Sequence, residues 1–272
     1  VWIEEGLVDL VVVGLGFNPF AARVDEFAAA AQGTDCRILG CFEALRPVLD
    51  TEVLRAIAAR YWDAGADGLY FFNFYSMSAE WKRNVVGELA DPALLSRLDK
   101  IYEIDKDRGH ELDSQIGHAF RYCLPLEQLP LRLEETRAGR AASLRFELAD
   151  DIVAAERDGV FESCVLGLGF DELAEGDEVE LRLNGQVLAW DRQRRPATPW
   201  AQAAYAADWA AYPSRVITVS FESTPVEFDL AAAWLRRGEN QLDICLVRRG
   251  CEAVRSLALQ DVRIWIRYRD KI

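Results

Sequence analysis

Three runs of nearly unbroken apolar residues open the chain: Val8–Val13, Arg37–Phe42 and Leu69–Phe74. Their starts are spaced by about thirty residues, the length of a strand–helix–strand unit. Between the first two lies the alanine-rich stretch Phe20–Ala31, with Val24, Phe27 and Ala28 on one helical face. Between the second and third, Val53, Leu54, Ile57, Ala58 and Tyr61 recur at the i, i+3, i+4 spacing of an amphipathic helix over Thr51–Ala64. Thr51 suits its N-cap and Gly65 its C-cap. Unbroken apolar runs are those of strands covered on both faces, so the pattern predicts β-α-β-α-β with a parallel sheet. Asp9, Asp35 and Asp67 fall at or near strand beginnings, where a carboxylate serves stability. Trp81–Leu89 continues as a helix, and Asp91-Pro92 starts a shorter one.

From about Leu124 the period changes to that of strands. Ala142–Leu148, Val160–Leu168, Glu178–Leu183, Val216–Phe221, Gln241–Val247 and Leu257–Tyr268 alternate or run apolar between turn signals, as in a sandwich or jelly roll. Asn184-Gly185, ahead of Gln186–Ala189, is the strongest hairpin signal in the chain. Residues 191–213 form the longest insertion. The predicted fold class is therefore α/β plus all-β, with one domain over 1–124 and a β-sandwich domain over 125–272. Three βα units leave sheet edges open, and a closed (β/α)8 barrel takes eight strands and about 250 residues, so the first domain reads as incomplete.

Composition narrows the partners. The chain has 272 residues, 51% hydrophobic and 28% charged, which is the balance of a folded protein and not of a disordered one. A net charge of −14, spread over both halves, repels polyanions and disfavours nucleic acid. No apolar run approaches the roughly 20 residues of a bilayer-spanning helix, so no membrane span is expected. The chain starts at Val1, without the basic start and apolar stretch of a signal peptide, and is expected to be a processed product or a segment of something longer. Six cysteines lie mostly in apolar runs, which favours buried free thiols, with a Cys245–Cys251 pair across a turn as the alternative. Nothing in the pattern indicates a compartment or an oligomeric state.

Chemistry in α/β folds gathers where strands end at their C-termini, because the loops there vary without disturbing the core. That rule selects Gly14–Pro19 with Phe17 and Asn18, Glu43–Pro47 with Arg46, and Asn73–Ser76 with Tyr75. Glu43 stands out, since a carboxylate ending an apolar strand is costly unless something answers it. It is either a nucleophile or proton carrier, or one half of a loop-holding pair with Arg46. Asn73 and Tyr75 offer an amide and a phenol suited to sugar hydroxyls, or to loop backbone. Cofactor and metal motifs fail: Pro19 stands where a dinucleotide fingerprint needs its third glycine, and His110-Glu111 has its next histidine at His118, too far for one helical face. Two histidines near a domain joint leave a serine triad without a base, and Lys82 falls in a helix, not at a strand end where a Schiff base would form. Trp190, Trp200, Tyr205, Trp209 and Tyr212 cluster around the insertion and either pack a core or stack on sugar rings.

Trp2-Ile3-Glu4-Glu5-Gly6-Leu7-Val8-Asp9, Cys41-Phe42-Glu43 and the stretch Tyr61–Phe74 together resemble the last part of the (β/α)8 barrel of family-10-like, clan A type bacterial glycoside hydrolases. Leu181–Gly185, Phe228–Leu230 before Gly238–Leu242, and Asp261–Ile266 resemble the galactose-binding-like jelly roll often appended to such barrels. The resemblance implies that Val8–Val13, Arg37–Phe42 and Leu69–Phe74 are strands six to eight of a partial TIM-type barrel. It also implies that Glu43 is the nucleophile, that Arg46, Asn73, Tyr75, Phe17 and Asn18 contact a carbohydrate substrate, and that no cofactor is used. The acid/base glutamate belongs to strand four, which these residues lack, so the segment alone is expected to be inactive. The alternative is a non-catalytic carbohydrate-binding or scaffolding protein.

Overall fold

A computed structural model describes residues 1–14, 19–43, 51–72, 79–104, 128–133, 141–196, 200, 223–250 and 256–269. The described residues divide into two units, Val1–Leu98 and those from Asp99 onward.

The first unit is built on a three-stranded parallel sheet, β1 (Leu10–Val13), β2 (Arg37–Glu43) and β3 (Gly68–Phe72), in the order β1-β2-β3. Helices α1 (Val24–Ala31) and α2 (Thr51–Asp63) make the crossovers, and α3 (Ala79–Leu89) and α4 (Pro92–Leu95) follow. Gly65, at φ +88°, ends α2: Ala66 N–H reaches Tyr61 O at 3.0 Å and Gly65 N–H reaches Trp62 O at 3.1 Å, closing the last turn in the left-handed manner glycine permits. Asp91 caps α4, accepting from the backbone N–H of Ala93 and Leu94. Asp67 accepts the Ile38 N–H at 2.8 Å, which gives this strand-start carboxylate a structural task. Arg55 and Glu88 pair at 2.8 Å between α2 and α3, and the Trp62 indole N–H donates to Leu89 O at 2.8 Å.

Consecutive strands added in one direction, each by a right-handed crossover, carry their helices on one face of the sheet. The burial pattern agrees. Ile38, Phe42 and Val13 are buried, as are Val24 of α1 and Leu54, Ile57, Ala58 and Tyr61 of α2. Alternate positions on the strands are open: Leu10, Val12, Tyr70 and Phe72 are 48%, 40%, 42% and 45% exposed. No closed barrel is present among the described residues; the sheet is open at β1 and β3.

The second unit is sandwich-like. One antiparallel sheet runs β10 (Thr224–Leu230), β7 (Phe161–Asp171), β12 (Leu257–Tyr268), β4 (Lys100–Glu103), with β5 (Leu131–Leu133) also on β12. The other runs β6 (Ala142–Leu148), β11 (Gly238–Arg248), β8 (Glu178–Leu183), β9 (Gln186–Leu188). Each turns one apolar row inward: Leu166, Leu168, Phe170, Val226, Phe228 and Ile264 from the first, Leu144, Leu181, Leu183, Leu242 and Ile244 from the second. Burying side chains of this size stabilises by about 1.5–3 kcal/mol each. A short helix, α5 (Ile152–Arg157), is capped by Asp151. Asn184 (φ +50°) and Gly185 (φ +83°) form the two-residue turn between β8 and β9, with Leu183 opposite Gln186.

Between β4 and the end of β6 lies a buried polar cluster. Lys100 Nζ is 2.8 Å from Asp150 Oδ1, with 0% and 2% of the two side chains exposed. Tyr268 donates its hydroxyl to Asp150 Oδ1 and Tyr102 to Oδ2, each at 2.5 Å, so every oxygen of the carboxylate is answered. Burial and the Asp150 charge push both phenols above the ordinary tyrosine range, and they stay protonated donors. Burial pushes the Cys164 thiol up in the same way. Cys36 and Cys164 are buried free thiols, and Cys251, the alternative partner of Cys245, lies outside the described residues.

Candidate functional site

The parallel register brings the ends of the three strands to one edge of the first unit's sheet. Val12 pairs with Leu39 and Val13 with Gly40, while Cys41, Phe42 and Glu43 pair with Tyr70, Phe71 and Phe72. Glu43 is therefore the last residue of the middle strand, with Phe72 beside it on β3. This strand is held from the helical side. Tyr61 lies across Gly40, where any Cβ would meet the ring, and its hydroxyl donates to Cys41 O at 3.0 Å. Phe42 packs edge-on to Tyr61 at 5.4 Å and stacks on Phe71 at 5.1 Å. These contacts hold the backbone of β2 against α2 at Gly40 and Cys41.

Side chains of a strand alternate between faces, and paired positions in a parallel sheet share one. Positions 38, 40 and 42 belong to the helix-covered face; position 43 falls in the row with Leu39, Cys41, Tyr70 and Phe72. Tyr70 and Phe72 were not singled out from the sequence, because an unbroken apolar run gives no sign of which alternate residues stay open. Gly14, the last described residue after β1, sits so close to Cys41 that a Cβ would come within 2.6 Å of its Cβ, which ties β1 to β2 near the same edge. Of the predicted site residues, Glu43 alone is among those described, and only its backbone. Phe17, Asn18, Arg46, Asn73 and Tyr75 lie outside them, as do His110 and His118. Among the described residues no group of three or more His, Cys, Asp or Glu side chains gathers as a metal site would, and no helix is long and apolar enough to cross a membrane.

Two hollows flank the first unit's helices. One, of about 450 Å³, lies along the free edge of the sheet and is apolar, lined by Val1, Trp2, Ile3, Val8, Val11 and Phe27 among others. The other, of about 430 Å³, lies between the C-terminal parts of α1 and α2 and is bordered by Asp25, Asp63 and Asp67. The Arg23 guanidinium beside Asp25 holds that carboxyl below its usual range. Both lie toward the strand beginnings or the outer edge of the sheet.

In the second unit, Trp190 is a packing residue. Its indole N–H donates to Asp177 O at 3.0 Å and its ring meets Phe170 and Phe228 at 6.0 and 6.1 Å. Gly167 and Gly169 lie inside strand β7, and the pairing opposite Gly169 and Phe170 is interrupted by a bulge on β12 between Leu259 and Asp261. Tyr205, Trp209 and Tyr212 lie outside the described residues.

No protein-family model matches the chain, and no curated protein matches its sequence. Among solved structures, the chain is similar to BuGH86 in complex with neoagarooctaose, with a TM-score of 0.27 and 14% identity over 52% of this chain and 18% of that one. A variant of BuGH86 with the same oligosaccharide gives 0.26 and 13% at the same coverage. A β-porphyranase of glycoside hydrolase family 86 from the human gut bacterium Bacteroides plebeius gives 0.25 and 14%, over 52% of this chain and 20% of that one. The chain thus spans a fifth or less of the length of these proteins.

Proposed function

We propose that the chain is part of a carbohydrate-active enzyme of the glycoside-hydrolase type, in which β1 to β3 form a stretch of β/α-barrel wall and Glu43 is the nucleophile. The observation that carries this reading is the sheet's two-faced character. An all-parallel sheet is normally covered on both faces. Here the helices take one, while Leu10, Val12, Tyr70 and Phe72 leave the other open and apolar. A barrel interior is such a face: it faces the far strands and is filled by layers of their side chains. Further β/α units continuing from the free edge of β1 would cover both that face and the apolar hollow beside Trp2 and Phe27.

On this reading Glu43 ends a strand at the face where barrel chemistry takes place. Its carboxylate oxygen attacks the anomeric carbon as the glycosidic bond breaks. The leaving oxygen takes a proton from a second carboxyl, and water later releases the glycosyl ester. That second group must stand about 5–5.5 Å away and comes from a strand outside these three. Arg46, Asn73, Tyr75, Phe17 and Asn18 then hold the sugar. The test is turnover of aryl glycosides and polysaccharides by a polypeptide in which the barrel is complete. Glu43→Gln is expected to lower kcat/KM at least 1,000-fold with folding unchanged, on the order of a lost nucleophile. Undiminished turnover overturns the assignment.

A further inference from the structure

Strand β4 follows the first unit directly: three residues after α4 the chain reaches Asp99 and becomes part of the second unit. It stands at the end of its sheet's strand order, with Lys100 opposite Ile266 and Glu103 opposite Arg263 on β12. Strand β5 lies on the same edge of β12 and runs the same way, with Leu131 opposite Leu259. The two are halves of one edge strand, interrupted opposite the β12 bulge between Leu259 and Asp261, with residues 104–130 between them in the chain. Residues 99–104 are answered from the sandwich almost one by one. Asp99 Oδ1 accepts the Tyr268 N–H at 2.9 Å, and Lys100 Nζ is 2.8 Å from Asp150. The Tyr102 hydroxyl donates to Asp150 and accepts the Ala149 N–H at 3.3 Å. Glu103 is 3.3 Å from Arg263, and the Ile104 N–H donates to Val262 O at 3.2 Å. Asp99, Lys100, Ile101, Tyr102 and Ile104 are all buried.

We propose that β4 is a docking strand and the free edge of β12 its acceptor: residues 99–104 bind there through their own contacts, and keep residues 1–104 attached to the sandwich when the chain between β4 and β5 is cut. An edge strand has a single strand neighbour, so it can seat or leave without dismantling the sheet. The buried ion pair makes the seat selective. Side chains alternate along a strand, so a slip of one residue turns Lys100 and Tyr102 to the opposite face, and a slip of two sets Leu98 or Tyr102 where Lys100 stands. Either leaves Asp150, 2% exposed, without its cation, which is costly inside a sandwich. The acceptor edge therefore takes this sequence in one alignment. Docking of this kind does not depend on Glu43 or on hydrolysis.

The test uses the full chain with the recognition sequence of a specific protease inserted after Ser114 and cut to completion. The two pieces are expected to elute as one species in size-exclusion chromatography at micromolar concentration, with the circular dichroism of the uncut chain. Lys100→Met is expected to weaken their association by about 100-fold or more, read as the dilution at which they separate. Tyr102→Phe, which keeps the ring and the Lys100–Asp150 pair, is expected to weaken it several-fold, and it serves alone if uncut Lys100→Met does not fold. Arg83→Met, at an exposed position of α3, should leave it unchanged. Separation of the cut, otherwise unaltered chain overturns the docking strand. So does association that Lys100→Met and Tyr102→Phe leave intact, since the pieces would then be held elsewhere.

Discussion

Tyr61 occupies the space that a side chain at Gly40 would need: a Cβ added there would lie 2.3 Å from the ring's Cδ2. The helix-covered face of the parallel sheet is thus packed to contact at the centre of its middle strand, and the absence of a side chain is a condition of that packing. Gly40→Ala should cost about 1–3 kcal/mol through overpacking. Gly87→Ala, inside α3 with nothing within 4 Å of the added carbon, should stabilise by about 0.5–1 kcal/mol. Urea midpoints of the two variants check both signs.

The opposite face should behave as surface in this chain. Val12→Ser is expected to change stability by no more than about 0.5 kcal/mol, because the side chain is already open to water. Ile38→Ala, on the packed face at 0% exposure, should cost about 2–5 kcal/mol. If barrel units are joined at β1, Val12→Ser should become destabilising as well, and comparing the two polypeptides by denaturant titration detects the change.

Removing one partner of the Lys100–Asp150 pair leaves a charge stranded in the sandwich. Lys100→Met should destabilise by about 3–5 kcal/mol, since Asp150 then has two phenol donors and no cation. Thermal unfolding of the variant measures this directly.

The same cluster sets an alkaline limit. Tyr102 and Tyr268 are raised in the folded state above the value of 10.0 that they hold when unfolded. Above about pH 10 the unfolded chain gives up those protons and the folded one does not, so their contribution is full below that pH and falls as pH rises past it. Urea midpoints should be level from about pH 8 to 9.5 and then decline. Tyr102→Phe should lessen the decline while lowering stability at neutral pH.

How much of this is visible in the sequence differs from element to element. The spacing of Val53, Leu54, Ile57 and Tyr61 predicts α2 to within a residue, and Asn184-Gly185 predicts the β8–β9 turn, because each depends on local geometry. Strand β4 escapes: Lys100 reads as surface, and only Asp150, fifty residues away, makes its burial tolerable. Strand β10 escapes because Pro225 argues against a strand, yet β10 is an edge, where a missing N–H costs nothing. The expected strand Val216–Phe221 lies outside the described residues. Glu43 is legible as a strand-terminal carboxylate. Its row with Tyr70 and Phe72 needs the β2–β3 register, which a single sequence does not carry.

Covalent trapping tests the role of Glu43 most directly. A 2-deoxy-2-fluoro glycosyl donor slows release of the glycosyl ester in a retaining enzyme, so the nucleophile keeps the sugar. With a polypeptide whose barrel is complete, peptide mass spectrometry is predicted to find the fluoro-sugar on Glu43. The sugar on a different carboxylate, or steady hydrolysis with Glu43 unmodified, would contradict the account.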